Sequence, residues 1–90
     1  MNIVDLNKTY VFHKDPGHGW LEVPLSELIA LGIEKTISGY SYIYKSFVYL
    51  EEDCDAERFI SALPFRPKIE TVYYKDDAPI RNFVHYTGGK

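Results

Sequence analysis

Residues 39–52, Gly-Tyr-Ser-Tyr-Ile-Tyr-Lys-Ser-Phe-Val-Tyr-Leu-Glu-Glu, decide how the rest of the chain is read. Aromatic and β-branched residues alternate on either side of Lys45-Ser46, the pattern of two short strands joined by a tight turn. That register sets Tyr44 opposite Phe47, Tyr42 opposite Tyr49 and Tyr40 opposite Glu51. Successive strand side chains point to opposite faces, so the pairing gathers Tyr40, Tyr42, Tyr44, Phe47 and Tyr49 on one side. Ser41, Ile43, Val48 and Leu50 fall on the other. The aliphatic side suits a core. The aromatic side is either covered by another layer of the chain or offered to a partner. Lys-Ser lacks the Gly or Asn that tight hairpin turns favour, and a one-residue bulge would undo the face assignment.

Working outward, residues 8–13 (KTYVFH) read as a strand and Trp20–Val23 as its hairpin partner, joined by the turn-forming run Asp15-Pro-Gly-His-Gly19. Pro24 suits the start of a helix over about residues 24–31, with Leu25, Leu28 and Ile29 at helical spacing and Gly32 as a stop. Downstream of the hairpin, Asp53 or Asp55 can cap a second helix. Its apolar stripe is Ala56, Phe59, Ile60 and Leu63, and Pro64 ends it. Residues 68–75 and 81–86 read as final strands, with Asp76-Asp-Ala-Pro79 as the turn between them. The order ββα–ββα–ββ predicts an α+β fold: a mostly antiparallel sheet of five to six strands with two short helices on one face.

Ninety residues make one domain, 1–90, with no repeat, low-complexity tract or linker. A chain this short buries a modest share of its surface, and the 16% aromatic content compensates with large side chains. The net charge of −3 and the scattering of ten basic residues argue against direct nucleic-acid binding, which depends on clustered Lys and Arg. One cysteine, Cys54, excludes an internal disulfide and a multi-cysteine zinc site. The first ten residues, MNIVDLNKTY, carry no signal-peptide pattern, and no apolar run is long enough to span a bilayer. The expected compartment is the cytoplasm.

Candidate chemistry is sparse. His13-x-Asp15-x-x-His18 offers three donors to a metal, as a binding module or a metal-assisted hydrolase, but nothing in the spacing makes a strand end and a loop converge. Solvated loop histidines are the expected state, and no cofactor is expected. The acidic run Glu51-Glu52-Asp53-Cys54-Asp55, with Glu57, fails as a calcium loop. Counted from Asp53, its sixth and twelfth positions are Arg58 and Pro64. The run suits a helix N-terminus and leaves a negative patch for a basic partner. Carboxylates beside Cys54 favour the protonated thiol over a nucleophilic thiolate, so a small, partly buried cysteine is expected there. No nucleophile elbow or phosphate-binding glycine loop occurs. A non-enzymatic protein is expected. Its partner-binding residues would be Tyr40, Tyr42, Tyr44, Phe47 and Tyr49 of the ladder, Glu51, Glu52, Asp53 and Asp55 of the acidic run, and Trp20.

The run His13–Pro24 (HKDPGHGWLEVP), with Leu31-Gly-Ile33, Ser41-Tyr42 and Tyr49–Asp55 (YLEEDCD), resembles a family of small proteins of bacteriophages, prophages and other bacterial mobile elements. The resemblance covers about residues 10–63 and stops at Pro64. It implies a protein that binds and blocks host machinery, such as a restriction or CRISPR defence complex, in the bacterial cytoplasm. The partner would be a protein, a nucleic-acid-handling complex among the candidates. A homodimer that buries the aromatic ladder against itself is a further reading.

Overall fold

A computed structural model describes residues 8–88. Residues 1–7 and 89–90, and with them most of the reading of the N-terminus, lie outside the described residues. Six strands form one sheet: β1 (Thr9–Lys14), β2 (Gly19–Pro24), β3 (Tyr42–Tyr44), β4 (Phe47–Glu51), β5 (Lys68–Tyr73) and β6 (Val84–His85). Their order is β5-β1-β2-β4-β3-β6, and every neighbouring pair is antiparallel except β1 with β5. Two short helices, α1 (Leu25–Ala30) and α2 (Glu57–Ala62), pack on one face. The α+β class expected from the sequence is the class observed.

The decisive hairpin forms in the expected register, Tyr42 with Tyr49, Ile43 with Val48 and Tyr44 with Phe47. Lys45 stands at φ 56°, where glycine or asparagine is the usual choice. A glycine there relieves the strain between Cβ and backbone, partly offset by its freedom in the unfolded chain. Lys45→Gly is therefore expected to stabilise the fold by about 0.5–1 kcal/mol, read from the urea midpoint.

One pairing differs from expectation. Tyr40 does not face Glu51, because β3 begins only at Tyr42. A continued ladder would direct the Glu51 N–H to the Tyr40 carbonyl; instead it donates to Ser41 Oγ at 3.0 Å. Ser41 Oγ in turn donates to Asp55 at 2.6 Å, so a buried polar cluster ends the strand. Glu51 pairs on its other side with Trp20 of β2.

The aliphatic face carries the main core, in which Leu21, Val23, Leu28, Val48, Leu50 and Phe59 are fully buried. Phe59 of α2 meets Tyr10 of β1 edge to face, with ring centroids 5.3 Å apart. Tyr10 also donates to the buried Glu27 of α1 at 2.6 Å, tying helix to sheet through a polar bond the sequence did not announce. Gly32, at φ 73°, ends the α1 region as its position implied. Gly19 has a different reason: a Cβ there would lie 2.3 Å from the Phe12 ring of β1.

The second helix starts differently from expectation. Residues Glu52–Ala56 make a one-turn π-helical segment before α2, and the cap is neither Asp53 nor Asp55. Glu51 Oε1 accepts from the N–H groups of Asp53 and Cys54, at 3.0 and 2.9 Å. The wider π turn carries Asp55 inward, where it is 1% exposed.

The largest departure concerns the C-terminal strands. They do not form a hairpin about Asp76–Pro79. β5 lies at one edge of the sheet and β6 at the other. The connection crosses the aromatic face as a strap containing a short 3-10 turn, Pro79–Asn82. Ala78 and Ile80 of the strap pack with Trp20 and Tyr49 into a second apolar cluster, against which Tyr42, Tyr74 and Phe83 lie. The aromatic ladder is thus partly covered by its own chain.

Candidate functional site

Asp15 anchors the strap. Its Oδ1 accepts from the N–H groups of Gly17 and His18, each at 2.9 Å, which closes the β1–β2 turn. Oδ2 accepts from the Ala78 N–H at 2.9 Å, and Arg81 forks the carboxylate through Nε at 2.6 Å and a terminal nitrogen at 2.8 Å. The Arg81 guanidinium, followed by these backbone donors, holds the buried carboxyl well below the usual carboxylate range. Arg81 also stands over the Trp20 ring, 5.4 Å from its centroid.

This arrangement overturns the metal reading of His13, Asp15 and His18. Both Asp15 oxygens are engaged within the fold, and His13 points into a separate network. Its Nδ1 meets the Tyr74 hydroxyl and its Nε2 a Glu22 carboxylate oxygen, both at 2.8 Å. His18 is exposed, with Nδ1 3.9 Å from Glu51 Oε2. The three side chains share no centre, and among the described residues no group of three or more His, Cys, Asp or Glu is placed to hold a metal.

The expected partner-binding residues separate into three groups. Trp20 is 2% exposed, Tyr49 8%, Glu51 8% and Asp55 1%, so the fold leaves these four little open surface. Tyr49 is held under Phe83, with centroids 5.1 Å apart; burial and then Glu22 push its phenol up to about 12. Asp55 accepts from the Ser38 N–H and from the hydroxyls of Ser38 and Ser41, which makes it structural. Glu52 turns to the helix side, where Lys14 pairs with it at 3.0 Å. Tyr44 and Phe47 remain exposed at the hairpin tip, Tyr44 stacked on Phe83 at 4.6 Å. The strap covers Tyr49 and part of Tyr42 but leaves Tyr40, Tyr44 and Phe47 of the ladder exposed.

Tyr40, Tyr42, Glu51 and Asp53 converge, with the edge of Trp20, on one cleft of about 310 Å³. His18, Cys54, Arg81 and His85 complete its lining, and none of these was grouped with the hairpin by the sequence pattern. His85 arrives because β6 pairs with β3, Tyr42 facing His85; the two rings stack at 4.6 Å. Trp20 meets Tyr42 edge to face at 6.2 Å. Trp20 Nε1 is buried and has no acceptor among the described residues. Tyr40, displaced from the ladder, is 70% exposed. The lining is therefore largely aromatic, with Asp53 exposed on the rim and Glu51, 8% exposed, behind it.

Cys54 lies on this rim and is exposed, not partly buried as expected. Desolvation by the surrounding chain, then the Glu51 carboxylate and the charges of Asp55 and Asp53, push its thiol up. The thiolate is the reactive form, so iodoacetamide at pH 7.5 is expected to label Cys54 more slowly than free cysteine. The difference should narrow in Asp53→Asn; labelling as fast as free cysteine would contradict it.

The chain matches no protein-family model, no curated protein and no solved structure. No helix among the described residues is long and apolar enough to cross a membrane. Fold and site together define a small α+β protein with an aromatic, acid-rimmed cleft on a strapped sheet.

Proposed function

We propose that this chain is a non-catalytic protein-binding protein of a bacteriophage or other mobile element, acting in the bacterial cytoplasm, with the cleft beside Tyr40 and Asp53 as its working surface. A host nucleic-acid-handling complex, such as a restriction or CRISPR assembly, is the partner class implied by the resemblance of the HKDPGHGWLEVP and YLEEDCD segments to mobile-element proteins. The observation that carries the binding reading is the cleft itself: exposed Tyr40, half-buried Tyr42, the exposed Asp53 carboxylate and the largely buried Glu51 meet at the strand ends of one sheet. Tyrosines offer large contact area at small entropic cost, and an acidic rim selects a basic partner over a phosphate backbone.

The test is capture from bacterial host lysates on immobilised protein, with Tyr40→Ala and Asp53→Arg in parallel. Both positions are exposed, so neither change removes a core contact. A defined host protein retained by the wild type and lost by both variants is the expected result. Equal recovery by wild type and variants, or nothing retained across several hosts, would refute the proposal. Tyr49→Ala is unsuitable because it opens the cluster beneath the strap.

A further inference from the structure

The chemistry of the cleft specifies more than a generic contact, and resting on the binding reading above, we infer that it seats the guanidinium of an arginine side chain presented by the partner protein. Three observations converge. The cleft, about 310 Å³, stands at the small end of ligand sites and accommodates one side chain rather than an extended segment. Its lining includes the rings of Tyr40 and Tyr42, against which a flat cation stacks, while Trp20, 2% exposed and already covered by Arg81, contributes only an edge. Its rim carries the exposed Asp53, with the 8% exposed Glu51 behind it, and neither has a close ion pair within the lining. Arg81 is the other formal charge there, and Asp15 holds it in a bidentate pair.

Glu51 is especially suited to the task. Its Oε1 is committed to the N–H groups of Asp53 and Cys54, which fixes the carboxylate in place. His18 Nδ1 lies 3.9 Å from its Oε2, beyond hydrogen-bond distance, and the Cys54 thiol shares the carboxylate. A planar guanidinium with five donors can stack on a tyrosine and still reach both carboxylates, whereas an ammonium offers no plane to stack. The fold already builds this combination once, in Arg81 stacked on Trp20 and forked by Asp15. The same rim repels phosphate, so a nucleic acid is disfavoured as the occupant.

Trp20 is the chain's one tryptophan, so the fluorescence comes from one place, between the cleft and the strap. The probes are acetyl-Gly-Gly-Arg-Gly-Gly-amide and the same peptide with citrulline, which keeps the shape and removes the charge. The arginine peptide is expected to give a saturable change, and the citrulline peptide to bind at least about tenfold more weakly. Asp53→Asn alone should weaken the arginine peptide, and Glu51→Gln with Asp53→Asn should abolish the response. Glu57→Gln, an exposed acid outside the cleft, should leave it unchanged. Because Glu51 also caps the π turn, Asp53→Asn serves as the variant that spares the fold.

No response to the arginine peptide, equal binding of citrulline, or stronger binding of a glutamate peptide or a single-stranded oligonucleotide would overturn the arginine seat. The two proposals fail separately. A captured host protein that needs Tyr40 but ignores Glu51 and Asp53 would sustain the binding function and sink the arginine seat.

Discussion

Asp55→Ala is expected to lower the unfolding free energy by about 3–4 kcal/mol, a large share of what a 90-residue domain has. The reason lies in what the carboxylate leaves behind. The Ser38 N–H and the hydroxyls of Ser38 and Ser41 all donate to Asp55, at 2.6 to 3.1 Å. Removing it strands the hydroxyl of the fully buried Ser41 where solvent does not replace its partner, and leaves the half-buried Ser38 donors without theirs. The loss propagates, since Ser41 Oγ also holds the Glu51 N–H where β3 ends. Urea unfolding followed by circular dichroism should show a lower midpoint with an unchanged slope. A loss below about 1 kcal/mol would mean that Asp55 is not the keystone of this cluster.

Asp15→Ala carries the second large effect, about 3 kcal/mol, and one that begins locally. The substitution leaves Arg81 without its bidentate partner and the Ala78 N–H without an acceptor. Both belong to the strap, so its amides should exchange with solvent sooner than those of β2 and β4. Trp20 fluorescence should shift to the red as Ala78 and Ile80 lift from the ring. A variant as stable as the wild type, with an unshifted Trp20, would contradict the role of Asp15 as the strap's anchor.

The same carboxylate predicts an acid limb. Its folded pKa lies below that of the unfolded chain, so on acidification the unfolded chain takes up this proton first. The stability Asp15 supplies is complete above an ordinary aspartate pKa of about 4 and drains away as pH falls below it. Urea midpoints measured from pH 5 to pH 2 should therefore fall more steeply for the wild type than for Asp15→Asn. Parallel curves would remove Asp15 from the acid transition.

How far the sequence carried can be judged from individual residues. Alternation about Lys45-Ser46 placed Tyr42, Tyr44, Phe47 and Tyr49 on one face and Ile43 and Val48 on the other, because strand period and a two-residue turn are local properties. The stripe Ala56, Phe59 and Leu63 likewise reached the core as its helical spacing required. Tyr40 escaped the pattern because Asp55, fourteen residues beyond Ser41, competes through that serine for the end of the strand. Asp15 read as a turn residue and Arg81 as a strand residue, and both descriptions miss the pair they form across 66 positions.

The sequence by itself determined the hairpin, the two helices, the α+β class and the acidic, single-cysteine chemistry, all of which follow from short-range periodicity and composition. Only the tertiary structure decided that β5 and β6 take opposite edges and that the strap between them buries Trp20 and Tyr49. It alone brought His85, Arg81 and Asp53 to the same cleft. Periodicity says which way a side chain faces along its own strand. Which layer meets that face depends on long-range burial and on one buried carboxylate, and neither leaves a local trace.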